Sequence, residues 1–154
     1  MASDLYSSLL SEIGEAYGLK LSPNANNTCQ IPLPGGIKIN LEISSDGRFF
    51  LMGCPVGHVP SGIFGEEVFK AALKYNGAPE PKAGVFGFSE KADLLFFHKN
   101  IILKDLNGSK IAAAIPAFAA IVKEWHDDIE NGRVPSVRYE ELRNSSGWSP
   151  FNAR

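Results

Sequence analysis

Three histidines, His58, His98 and His126, and two cysteines, Cys29 and Cys54, are the side chains of this sequence best suited to chemistry. None of the histidines has metal-ligand spacing to another His or Cys. A nucleophilic pair would need Cys29 or Cys54 beside His58 or His98 in space. The simpler reading is two small buried thiols and polar loop or strand histidines. Asp127 and Asp128 precede Ile129-Glu130 at a helix end, where a solvated face accounts for neighbouring carboxylates without acid–base work. Gly62-Ile-Phe-Gly and Gly84-Val-Phe-Gly lack both the Lys-Ser/Thr ending of a phosphate loop and the spacing of a dinucleotide fingerprint. They read as turn and close-packing glycines. His126, beside Trp125, reads as a partly exposed helix residue. The residues predict no catalytic group, no metal and no cofactor, and hence no enzyme.

What must be positioned is therefore a surface. The chain has 154 residues, of which 44% are hydrophobic and 21% charged, with a formal net charge of -2. That suits one compact domain with its own core and gives no electrostatic reason to expect nucleic acid or an anionic membrane. Two cysteines in a chain of this size favour a reducing compartment, with a single disulfide as the alternative. The first residues lack a signal-peptide pattern, and no apolar run approaches the roughly 20 residues that span a bilayer. We expect a cytoplasmic protein.

Leu5, Leu9, Ile13 and Ala16 with Tyr17 fall on one face of an opening helix, which Ser3 or Asp4 caps and Gly18 ends. Cys29, Ile31 and Leu33 alternate with Gln30, Pro32 and Pro34, so this strand must lie at a sheet edge. Ile37, Ile39, Leu41 and Ile43 alternate with Lys38, Asn40 and Glu42, giving a second strand. Asp46-Gly47 turns the chain into a third, in which Phe49 and Leu51 mark one face and Phe50 and Met52 the other. We expect Phe50 and Met52 on the face left over from the core.

A second helix runs from about Ile63 to Tyr75 and stops at Asn76-Gly77. Phe64, Val68, Ala71, Ala72 and Tyr75 cluster on it, with Phe69 and Leu73 on an adjoining face. Together they make an apolar arc about 200° wide, where a core-facing stripe needs roughly 100° or a little more. The excess predicts self-association. Val85 to Phe88 and Leu94 to His98 form a hairpin joined by Ser89-Glu-Lys-Ala-Asp. Ile111, Ile115, Phe118, Val122, Trp125 and Ile129 keep helical register from Asn107-Gly-Ser to Glu130. Pro116 inside that run predicts a kink or a later start. The expected fold class is α+β: one domain over 1–132, in the order α-β-β-β-α-β-β-α. Its five-stranded sheet is mostly antiparallel. Residues 133–154 are expected to form a loosely held C-terminal tail.

The chain resembles the class I type III secretion chaperones, also called the CesT or Tir-chaperone family. The resemblance runs from about Leu5 to Trp125. It rests on Leu9-Leu10, Ile13-Gly14, Gly18-Leu19, Asn27-Thr-Cys, the helix Ile63-Phe-Gly-Glu-Glu-Val-Phe-Lys-Ala-Ala-Leu, Asn76-Gly77, Gly84-Val-Phe-Gly-Phe and Trp125. Phe69-Lys-Ala-Ala-Leu and Asn76-Gly look especially like chlamydial members. Pro32, Pro34 and Pro116 depart from the pattern, and the tail is longer than the minimal fold.

The resemblance implies a bacterial virulence-associated protein without enzymatic activity. It would form a homodimer, or a heterodimer with a related chaperone, and hold the N-terminal segment of a secreted effector or gatekeeper protein. The alternative is a regulatory binding module of the same fold that sequesters a transcription or secretion regulator. We expect cargo across the first helix and first three strands, at Leu9, Ile13, Ile31, Leu33, Ile39, Leu41, Phe50 and Met52. Phe64, Phe69, Leu73, Val85, Phe86 and Phe88 are the expected dimer interface.

Overall fold

The structure is a computed structural model and describes residues 2–137. Its elements are α1 (Ala2–Tyr17), β1 (Cys29–Pro32), β2 (Lys38–Ile43), β3 (Phe49–His58), α2 (Ile63–Asn76), β4 (Val85–Ser89), β5 (Leu94–Ile102) and α3 (Gly108–Glu130). The five strands form one antiparallel sheet in the order β1-β2-β3-β5-β4, with β1 and β4 at its edges. This is the α+β arrangement the sequence predicts. Its proline-bearing first strand lies at an edge, where a residue without an N–H does least harm to a ladder.

All three helices pack on one face of the sheet. Tyr6 of α1 meets Phe50, and its hydroxyl donates to the Leu41 carbonyl at 2.6 Å. Phe118 of α3 stacks near Phe97, while Trp125 lies against Phe86 with ring centroids 4.0 Å apart. Tyr75 of α2 stands edge-on to Phe86 and Phe97. Phe50, Met52, Cys54 and Val56 of β3 therefore point into the core, and Phe49 and Leu51 face the side without helices. That reverses the face expected for Phe50 and Met52. Both sides of β3 are apolar, so alternation identifies two faces without saying which one the helices cover.

Helix α1 is also rolled relative to its expected stripe. Tyr6, Leu9, Leu10 and Ile13 are buried, whereas Leu5 and Tyr17 lie at the exposed margin. Helix α3 starts at Gly108 and not later, with the Asn107 side chain accepting from the Lys110 N–H at 2.9 Å. Pro116 sits inside it. Proline has no N–H for the carbonyl four residues back, which is that of Ala112. The Tyr17 hydroxyl donates to that carbonyl at 2.5 Å and supplies the missing partner from α1.

The two helices are joined again where the Gly108 N–H donates to a Glu12 carboxylate oxygen at 2.7 Å. This places a negative charge at the N-terminus of α3, where the helix dipole favours it. A side chain at Gly108 would run into the Glu12 Cβ. After α3 the chain stays close to the body: Pro135 is buried and Val137 packs against the core. The expected loose tail is thus held through residue 137, and residues 138–154 lie outside the described part. No helix among the described residues is long and apolar enough to cross a membrane.

Candidate partner-binding surfaces

The helix-free face of the sheet is partly apolar. Phe49, Leu51 and Pro55 of β3 and Phe96 of β5 lie half-buried on it, with no helix of the described residues above them. At its centre is a hollow of about 490 Å³, lined by Leu51 and Phe96 on its apolar side and by Asn40, Glu42, His98 and Asn100 on its polar side. Gly53 forms the floor. It pairs across the strands with Asn40 on β2 and His98 on β5. Because it has no side chain, the row of residues crossing the sheet is interrupted there. A Cβ at Gly53 would meet nothing within 4 Å. The surface can accept apolar side chains from an extended or helical segment while offering amide, imidazole and carboxylate partners around them.

A second surface lies on the flank made by α2 and β4. Leu73 is 70% exposed and Phe88 43% exposed, a large departure for apolar side chains on one small patch. Phe69 stands between them, edge-on to Phe88 at 5.0 Å between ring centroids. Phe64 and Val85 are half-buried, and Phe86 is buried within the core. Of the six residues expected at a dimer interface, the structure places Phe69, Leu73 and Phe88 together at the surface. Phe86 stacks inward on Trp125, so its contribution to this flank is its backbone. That backbone is occupied: the Asn76 side-chain amide donates to the Phe86 carbonyl and accepts from the Phe86 N–H, both at 2.8 Å.

The expected cargo residues are placed differently. Leu9, Ile13, Ile31, Ile39, Leu41, Phe50 and Met52 are all buried in the chain's own core, beneath α1 and α3. A partner cannot touch these side chains while the helices stay in place. Leu33, just past β1, is only partly buried. These seven positions therefore belong to the core, and the half-buried apolar side chains Leu51 and Phe96 lie on the opposite face of the sheet. The pairing of each buried position with its exposed neighbour is visible in the sequence, but the side that receives the helices is not.

The reactive side chains do not assemble into a site. Cys54 points into the core, where burial pushes its thiol up to about 11 against the smaller opposing effect of a backbone hydrogen bond with Lys38. Burial raises the Cys29 thiol as well. His98 follows Gly53 in cross-strand register while Phe97 pairs with Cys54, so Cys54 and His98 face opposite sides of the sheet. His58 faces the Asp93 carbonyl at 2.9 Å, and His126 faces the Val56 carbonyl at 2.7 Å. Among the described residues, no three His, Cys, Asp or Glu side chains gather as metal ligands.

Among the described residues, a layer of three helices covers one face of the sheet and leaves the other face and an apolar flank open. A family model for the Tir chaperone protein (CesT) family matches residues 8–126. The chain belongs to that family. No curated protein matches it in sequence. Among solved structures it is similar to the Yersinia pestis type III secretion chaperone SycH in complex with a stable fragment of YscM2. The TM-score is 0.62 at 15% identity, over 77% of this chain and 97% of that one. A chain of the HopA1–SchA chaperone–effector complex matches with a TM-score of 0.66 at 15% identity, over 82% of this chain and 97% of the other. A chain of the ExoT–SpcS complex from Pseudomonas aeruginosa gives 0.60 at 14% identity, over 78% and 96%. At such identities the likeness establishes the fold.

Proposed function

We propose that this chain is a type III secretion chaperone that works in the cytoplasm without catalysing a reaction. It holds the N-terminal segment of a secreted effector or gatekeeper protein unfolded and ready for export. The observation that carries this reading is the uncovered sheet face, where Leu51 and Phe96 flank the Gly53 hollow opposite a core already sealed by three helices. Membership of the Tir chaperone family and likeness to chains solved in chaperone–effector complexes support it. Cargo side chains lie on that face, and the cargo backbone pairs with what remains open of the edge at β1. The chain dimerises, with itself or a related chaperone, through the α2–β4 flank at Phe64, Phe69, Leu73 and Phe88.

The test is to isolate the protein from its native cell, identify the secreted protein that travels with it, and repeat with Leu51→Asp and Phe96→Asp. Both positions lie outside the core, so the variants should fold and lose most of the bound cargo. Retention of cargo by both folded variants places the binding surface elsewhere. Recovery of a transcription regulator in place of a secreted protein would establish the sequestering role instead.

A further inference from the structure

Both edges of the sheet carry an asparagine where a neighbouring strand would otherwise pair. On β4, the N–H and C=O of Phe86 turn away from β5, and the Asn76 amide bonds to both, at 2.8 Å each. Asn76 is itself braced. Its carbonyl accepts from the Nζ of buried Lys82 at 2.6 Å, and the Lys82 carbonyl accepts from Lys99 Nζ at 2.9 Å. In an antiparallel strand every second residue faces outward. With Phe86 taken, Phe88 is the one outward position left on the five-residue β4.

On the other edge, the Leu33 N–H donates inward to the Ile37 carbonyl at 2.6 Å. Thr28, Gln30, Pro32 and Pro34 therefore face outward. The Thr28 N–H donates to Asn24 Oδ1 at 3.0 Å, and its carbonyl accepts from the Asn24 N–H at 2.8 Å. Pro32 and Pro34 have no N–H to offer. The single outward backbone donor left from 28 to 34 is that of Gln30, which approaches only the neighbouring Cys29 sulfur.

We propose that Asn24 and Asn76 are edge stoppers which, with Pro32 and Pro34, reduce the strand-accepting part of the sheet to Gln30 and the Pro32 carbonyl on β1 and to Phe88 alone on β4. An extended partner pairs at β1 over about three residues, whereas β4, with one open residue, supports no ladder, so copies of the chain meet at the α2–β4 flank through side chains. That the extended partner is cargo rests on the chaperone reading; the closure of the edges does not. The partner's chemistry follows from the inventory. It must offer one acceptor to the Gln30 N–H and donors to the Gln30 and Pro32 carbonyls, and it gains its affinity from side chains on the sheet face more than from the ladder.

Amide hydrogen exchange on the dimeric or monomeric protein as isolated tests the stoppers directly. In the wild type, Phe86 should exchange about tenfold more slowly than Phe88, and Thr28 than Gln30, the size expected for one neutral hydrogen bond. Asn76→Ala and Asn24→Ala should each erase the difference at their own edge. Equal rates in the wild type, or unchanged rates in folded variants, overturn the proposal; the wild-type comparison stands even if a variant does not fold. A capped Val-Thr-Val-Thr-Val peptide then probes acceptance. It should slow exchange at Gln30 and leave Phe86 unaffected in the wild type, and protect β4 only in Asn76→Ala. Protection of wild-type β4, or none at Gln30, overturns it as well. Should no secreted segment bind while this exchange pattern holds, the chaperone reading falls and the edge stoppers remain.

Discussion

Pro116 removes a donor from the interior of α3, and the Tyr17 hydroxyl reaches across from α1 to the carbonyl thus freed, at Ala112. The two residues should be energetically coupled. Tyr17→Phe is expected to destabilise the chain by about 1 kcal/mol, within the range for one lost hydrogen bond. In a Pro116→Ala background the helix can supply its own bond, and the same substitution should cost little. A double-mutant cycle in urea checks this, and additive effects would show that the contact is incidental. Cys54 makes a second residue-scale case. With its thiol raised from about 9 to about 11, the folded state keeps its proton over a pH range where the unfolded chain loses it. The resulting stabilisation is complete below about pH 9 and is lost as pH rises toward 11. Unfolding midpoints of wild type and Cys54→Ala should therefore converge across that window. Native Cys54 should also resist a thiol reagent at pH 8, its thiolate being about a hundredfold scarcer than that of an unburied thiol.

At the scale of elements, the sheet has one face sealed and one face shaped. The gap at Gly53 exists because this strand position has ordinary backbone geometry but no side chain, between Asn40 and His98. Gly53→Val should fill the hollow without strain. Valine suits a strand better than glycine, so stability should hold or rise by roughly 0.5–1 kcal/mol. Cargo affinity should fall by about tenfold or more, because the partner now meets an overpacked surface. Calorimetric titration with the cargo segment separates these two readouts; unchanged affinity would remove the hollow from the binding surface. Close approach of α1 and α3 depends on the opposite property of Gly108, where a side chain would collide with Glu12. Here substitution should destabilise the fold itself.

For the whole molecule, the α2–β4 flank leaves Leu73 and Phe88 in water when the chain is alone. Burying each would contribute roughly 1.5–3 kcal/mol, enough to favour association. Leu73→Glu with Phe88→Lys should give a particle of half the mass in sedimentation and keep the far-UV circular dichroism spectrum, since neither side chain supports the single chain's core. A wild type that sediments as a monomer at micromolar concentration, with no related chaperone present, would rule out the homodimer.

The amino-acid sequence by itself determined the element order, the edge position of the proline-bearing strand, the helix limits at Asn76-Gly77 and Asn107-Gly, and the family. These follow from local periodicity and from residues whose backbone constraints act where they stand. The surplus of apolar surface was legible too, in the width of the α2 stripe and in the two-sided β3. Tertiary structure alone decided which side of β3 is core. Phe49 and Phe50 are equally apolar neighbours, and only the docking of Tyr6, Phe118 and Trp125 buries one row and leaves Leu51 and Phe96 outside the core. It also decided that Tyr17 would answer Pro116 and that Asn76 would occupy Phe86, contacts in which each partner is ordinary in its own stretch of sequence. A hydrogen bond across the fold depends on two positions whose approach is set by packing, and packing is a property of the whole chain.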